Sequence, residues 1–148
     1  IAEQRTVSEI TSKIPPDAME SLNKAHDLLD VAAWVLEGHI LAKKGDVDGA
    51  IAVLTKAAEA QDRLKYSEPP DWYYPVRQTL GAVLVQCGQP DAAAVVFRED
   101  LARNPRNGWS LYGLAQAQRA AHQPSAQTEA QFRNAWRDAD VKLTASRF

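Results

Sequence analysis

The polar constellation with the best spacing for chemistry is Glu68, Asp71 and Arg77, set beside Trp72, Tyr73 and Tyr74. Two carboxylates and a guanidinium next to aromatic rings can orient a small ligand. They can equally form a structural ion pair that fastens one segment onto the next helix, which is the commoner use of paired charges near loops. The other reactive side chains are scattered. His26, His39 and His122 have no second histidine four residues away, and Cys87 joins none of them, so zinc-ligand spacing is missing. Asp46-Val47-Asp48-Gly49 has the start of a calcium-loop pattern but lacks the later ligands and the terminal glutamate, and it reads better as a helix-capping turn.

Nucleophiles fare no better. There is no Gly-x-Ser-x-Gly elbow and no phosphate-cradling glycine loop, and neither Ser110 nor Cys87 has a base that its neighbours in sequence identify. Arg98, Arg103, Arg106 and Arg119 make one region locally basic, but Glu99 and Asp100 offset part of it, and the reading is a solvated face. The expectation is therefore a non-enzyme with no catalytic, cofactor-binding or metal-ligating residues.

Bulk properties agree with an ordinary domain. The 148 residues are 45% hydrophobic and 24% charged, enough for one domain with a real core. A formal net charge of -2 supplies no global positive field for nucleic acid or an anionic membrane surface. No apolar run approaches membrane-spanning length and no signal-like segment opens the chain. The chain begins at Ile1 rather than Met, so the expected product is soluble, cytoplasmic or exported if a signal was removed. Cys87, just before Gly88 on an apolar helix, reads as a buried thiol.

The elements that must position any site are helical. Residues 77–105 read as a helix, a tight Gly88 turn, a second helix and a closing Asn104-Pro105, with Gly81 and Ala93 letting the two approach and Leu80, Leu84 and Phe97 filling the seam. Trp34, Gly38, Leu41, Gly45, Ala50, Leu54 and Ala57 repeat the design, with Asp46 or Asp48 as the cap after the Gly45 turn. A third copy uses Leu111, Leu114, Ala115, Ala117, Phe132, Ala135 and Trp136, with Pro124 at the first position of its second helix and His122 where Gly is expected. Leu80 and Leu114 stand 34 residues apart, whereas Gly38 and Gly81 stand 43 apart, which leaves nine extra residues in the Arg63–Pro75 insertion. That insertion reads either as a binding loop or as a packed cover, and its aromatic content favours the cover.

Before the repeats, residues 1–14 read as a short helix or loose arm, ended by Pro15-Pro16. From Asp17 the apolar positions Ala18, Leu22, Ala25, Leu29, Ala32, Leu36 and Ile40 predict one long helix to Lys44, or two meeting near Asp30. Residues 141–148 read as a tail that folds back through Val141, Leu143 and Phe148, or frays. The organisation is an N-terminal arm over residues 1–16 and a helical-repeat domain over 17–148. Its hairpins lie at about 31–63, 74–105 and 108–140, with the insertion at about 63–75.

These offsets resemble those of the tetratricopeptide repeat (TPR). Glu68–Arg77, Phe97–Leu111 and Ala139–Phe148 are similar to the C-terminal part of larger bacterial TPR proteins. The resemblance covers roughly residue 32 onward. It implies an all-α, right-handed stack of about three antiparallel helical hairpins with an N-terminal helical extension, and a scaffold continuing upstream.

The function expected is a protein-interaction scaffold that binds a peptide or protein segment, an upstream segment of the same protein included, in the concave groove of the array. The alternative is the C-terminal structural part of a larger ligand-binding or enzymatic protein whose active region lies upstream of Ile1. First helices of successive hairpins line the groove in a TPR stack, and here they offer Val35, His39, Gln78, Val85, Gln86, Trp109, Tyr112, Gln116 and Arg119. Trp109 and Tyr112 can anchor an extended peptide whose backbone Gln78 and Gln116 bond, or they can be core between the second and third hairpins. Lysine, asparagine and arginine clamps for a terminal carboxylate are replaced by Val35, His39, Thr79, Trp109 and Gly113. Nucleic acid and membrane are not expected partners.

Overall fold

The computed structural model describes residues 2–147, and it is all-α apart from one minimal hairpin of strands. In chain order the helices are α1 Ala2–Thr11, α2 Ala25–Lys44, α3 Val47–Arg63, α4 Val76–Gln86, α5 Pro90–Arg103, α6 Gly108–Ala120 and α7 Ala126–Ala135. The strands β1 Met19–Glu20 and β2 Asn23–Lys24 pair antiparallel between α1 and α2. The chain divides into two compact units between Val76 and Arg77.

In the first unit, α2 and α3 make a helical hairpin around Gly45, which sits at φ 81°, a left-handed conformation that glycine adopts without steric cost. Asp46 caps α3 by accepting from the Gly49 amide at 3.1 Å. A Cβ on Gly38 would lie 2.5 Å from Cγ of Leu54, so the missing side chain is what lets this fully buried leucine fill the seam. Val31, Ala50 and Ala57 complete the dry core, and Lys56 lies 4.0 Å over the Trp34 ring.

The long helix expected from Asp17 does not form: α2 starts at Ala25, and Leu22 is 52% exposed. Tertiary bonds override the local period. Asn23 is buried, and its carboxamide accepts from Lys65 N at 2.7 Å while donating to Lys65 O at 3.0 Å and to Asp71 at 2.7 Å. Holding Asn23 inward with extended backbone takes the chain out of helical register just before α2. Ser21 turns the corner between the strands at φ 53°.

A second carboxamide does the same at the far end of the insertion. Gln61 donates to Tyr74 O at 3.0 Å and accepts from Val76 N at 2.8 Å. Thus Asn23 and Gln61 satisfy backbone groups at both ends of a segment without helix or strand, each imitating a peptide group. Inside it, Trp72, Tyr73 and Tyr74 interlock with centroids 4.8–5.8 Å apart. Trp72 and Tyr74 are half-buried, as a cover requires, but Tyr66 and Tyr73 are 77% and 74% exposed. Glu68, Asp71 and Arg77 each bond to other residues. Asp71 is bonded to Asn23 and Ser67, Glu68 accepts from the Tyr66 hydroxyl, and Arg77 donates to Glu99 at 3.4 Å.

In the second unit the organising side chain is Phe97 on α5, which is fully buried. Its ring meets α4 at Gly81 and α6 at Gly113, where Cβ atoms would stand 2.4 and 2.3 Å from Cζ. One aromatic ring therefore sets the approach of three helices. The α4–α5 turn uses Gly88 at φ 72°, and Pro90 opens α5. Cys87, expected to be buried there, is half-buried.

The α6–α7 turn departs from expectation. His122 takes φ 55°, so the position does ask for left-handed backbone although glycine is absent. Pro124 precedes the helix rather than opening it, because α7 starts at Ala126 after Ser125. It also stops at Ala135. Trp136 then donates from Nε1 to Val141 O at 2.7 Å, which turns the following residues back. Those residues make polar bonds to α4, from Ser146 and Arg147; of the apolar positions expected to fold back, Val141 is 55% exposed, Leu143 is half-buried, and Phe148 lies outside the described residues.

Candidate partner-binding surface

The second unit carries most of the residues that the repeat resemblance offers to a partner, on α4 and α6. Their placement begins with the start of α6. Asn107 caps it, its Oδ1 accepting from Trp109 N at 3.0 Å and Ser110 N at 3.3 Å. Gln78 on α4 donates from Nε2 to the same Oδ1 at 3.1 Å and to Ser110 Oγ at 3.4 Å. Ser110 in turn donates to Asp100 on α5, whose other oxygen accepts from Asn104 at 2.9 Å.

This network is interior. Gln78 and Asp100 are each 1% exposed and Ser110 is fully buried. Burial pushes the Asp100 carboxyl above its ordinary pKa, against the opposing pull of bonds from Ser110 and Asn104, the charge of Arg77 and the Gln78 bond. A serine that gives its proton to a buried carboxylate is tied up and shielded from solvent, which suits a strut better than a nucleophile. What the network does is fix α6 against α4 and α5. Gln78 is accordingly not on offer to a peptide backbone; its amide is spent inside the unit.

On the rest of α6, Trp109, Tyr112 and Gln116 are half-buried and face α7. Trp109 meets Trp136 edge to face at 5.7 Å, Tyr112 meets Phe132 at 5.4 Å, and Phe132 stacks on Trp136 at 5.9 Å. Gly108 leaves room for this, since a Cβ there would lie 2.2 Å from Cε3 of Trp136. Gln116 donates to the Tyr112 hydroxyl at 3.3 Å. The result is a four-ring ledge that is partly open to solvent along its length. Arg119, at its far end, is exposed and pairs with Glu129 at 2.7 Å; that bond, followed by one from Ser125, holds the Glu129 carboxyl below its ordinary pKa.

On α4, Val85 is half-buried and Gln86 is exposed, and the latter accepts from Arg147 at 3.2 Å. Ser146 is 1% exposed and donates to Gln78 O at 3.4 Å. Val35 and His39 belong to the first unit, on α2, where Val35 is 6% exposed within the core and His39 is half-buried. Of the nine residues singled out, the structure thus brings Trp109, Tyr112 and Gln116 together and puts Gln78, Val85 and Gln86 on one helix. Val35 and Gln78 are interior.

Sequence reasoning passed over Asn107, Asp100 and Ser146. Asn107 carried a usable signal, an asparagine directly before a helix. Asp100 and Ser146 acquire their roles only from distant partners. Among the described residues no three His, Cys, Asp or Glu side chains converge as metal ligands would, and no helix is long and apolar enough to cross a membrane. No protein-family model, curated protein or solved structure matches the chain.

Proposed function

We propose that this chain is a protein-interaction scaffold of tetratricopeptide type, which holds an extended peptide or protein segment along α4 and α6, the first helices of the hairpins in its second unit. The observation that carries the reading is the wedge of Phe97. A side chain from the second helix of one hairpin contacts a small residue on its own first helix, Gly81, and a small residue on the next first helix, Gly113. A contact of this kind supports a repeat reading, in which each unit packs on its neighbour. The recognition surface in this reading is the aromatic ledge of Trp109 and Tyr112 with the adjacent Gln116. Its rings supply rigid apolar area, and the amide can bond a peptide backbone.

Selection of a random peptide library on the whole chain tests this. The expected result is a shared motif whose binding is lost in the Tyr112→Ala, Gln116→Ala double variant while that variant keeps its helical signal. No enriched motif, or one insensitive to both substitutions, would contradict the proposal.

A further inference from the structure

We infer that the groove between α1 and α2 is a binding site for a linear aliphatic diamine, that is, two ammonium groups joined by an apolar chain. The site belongs to the first unit and does not depend on the peptide surface proposed for the second. A cavity of about 470 Å³ lies between the two helices, a volume in the range of small-molecule sites.

Each wall is one helical stripe. On α2 it is His26, Leu29, Asp30, Ala33, Leu36 and Glu37, at spacings of three and four. The buried residues of that helix, Val31, Val35 and Gly38, fall on its opposite side by the same period, where Gly38 meets Leu54 of α3. On the α1 side the wall has Val7 as its apolar member and otherwise short or polar side chains, among them Ser8, Thr11 and Ser12. Small hydroxyl residues set against Leu29 and Leu36 cannot fill the space between the helices, and both leucines are left half-buried. His26 fixes the walls at one end, since its Nε2 bonds the Ile14 carbonyl at 3.0 Å and so ties the chain after α1 to the first turn of α2.

Charge and spacing select the ligand. The groove is lined by the carboxylates Asp30 and Glu37 and by no lysine or arginine; Arg5 and Lys13, on the same N-terminal segment, are exposed and lie outside it. Among the described residues no base pairs with either carboxylate. Seven residues separate the two, about 10 Å along the helix axis, and Ala33 lies midway with Leu29 and Leu36 beside it. An ammonium group at each end with hydrocarbon between matches that order of acid, apolar floor and acid. An anion is repelled, and a monoamine leaves one carboxylate unmatched.

The test is calorimetric titration of the full chain with octane-diamine, whose extended chain holds its nitrogens at a similar separation, and with octylamine, which has one charge. One-to-one binding of the diamine is expected, at least about threefold tighter than that of octylamine. Asp30→Asn and Glu37→Gln should each weaken diamine binding about threefold, and the double variant about tenfold, because each removes one ion pair. Ala33→Trp fills the groove without changing its charge and should abolish binding. No binding to the unaltered chain, equal binding of diamine and monoamine, or a diamine affinity untouched by the double variant overturns the inference. Should Ala33→Trp lose its helical signal, amide shifts of the unaltered chain decide. Octane-diamine is expected to move residues 4–12 and 26–37 and to leave α6 and α7 unmoved. Shifts spread over acidic positions of both units would mean counterion association only and overturn the inference.

Discussion

Phe97 and Gly113 are so closely opposed that a methyl group at position 113 would stand 2.3 Å from Cζ of the ring. Replacing Gly113 by Ala forces the ring or α6 to move, and overpacking of this kind costs about 1–3 kcal/mol. Removing the ring with Phe97→Ala costs about 3–5 kcal/mol through lost burial and the cavity left behind. The double variant should be less destabilised than the sum of the two, because the new methyl occupies space the ring has vacated. Chemical denaturation of the four proteins measures the coupling. Strict additivity would mean that the two sites do not share this volume.

A pH series should report the buried Asp100. Its folded pKa is raised above the ordinary 3.8, so the folded chain holds that proton more tightly than the unfolded chain. This contribution to stability is fully present below the unfolded value and is lost as pH rises through the folded value. Asp100→Asn has no such titration. The melting temperature of the unaltered chain should therefore fall relative to that of the variant as pH is raised from about 4 toward neutrality. A difference between the two that does not change with pH, or that moves the other way, contradicts the assignment.

The two carboxamide brackets predict local loosening around the insertion. Asn23→Ala leaves Lys65 N and O without their partner, and Gln61→Ala does the same to Tyr74 O and Val76 N. Gln61→Ala should cost about 1–3 kcal/mol, the penalty for buried polar groups left unpaired, and Asn23→Ala less, because Lys65 is exposed and water can reach its backbone. Limited proteolysis should then cut first within residues 64–75. Cleavage elsewhere at unchanged rate, with the insertion still protected, would show that the brackets are dispensable.

The parts of this fold legible in the sequence are those where a residue type has a direct consequence for backbone or volume. Gly45 and Gly88 marked turns because left-handed backbone suits glycine, Asp46 or Asp48 marked a cap, and Gly81 with Ala93 marked a close helix approach with Phe97 in the seam. Asn23 shows why the rest was hidden. Apolar spacing ran unbroken through it, but its side chain is committed to Lys65, 42 residues further on, and that bond ends the helix. Gln78 failed in the same way: the repeat resemblance put it on the groove side of a first helix, and Asn107 and Ser110, 29 and 32 residues away, draw its amide inside. The members of the aromatic ledge were legible, Trp109 and Tyr112 on the first helix of the third hairpin and Phe132 and Trp136 on the face of its second, but Trp136 lies just past the end of α7.

The most direct test of the scaffold reading is site-specific photo-crosslinking on the ledge. A benzophenone side chain is placed at Gln116, beside Tyr112, and separately at Glu59, an exposed position on α3. Each protein is irradiated with the library-selected peptide. The account predicts a one-to-one adduct from position 116, suppressed by excess unlabelled peptide, and none from position 59. Equal labelling at both positions, or labelling at 59 alone, would contradict it.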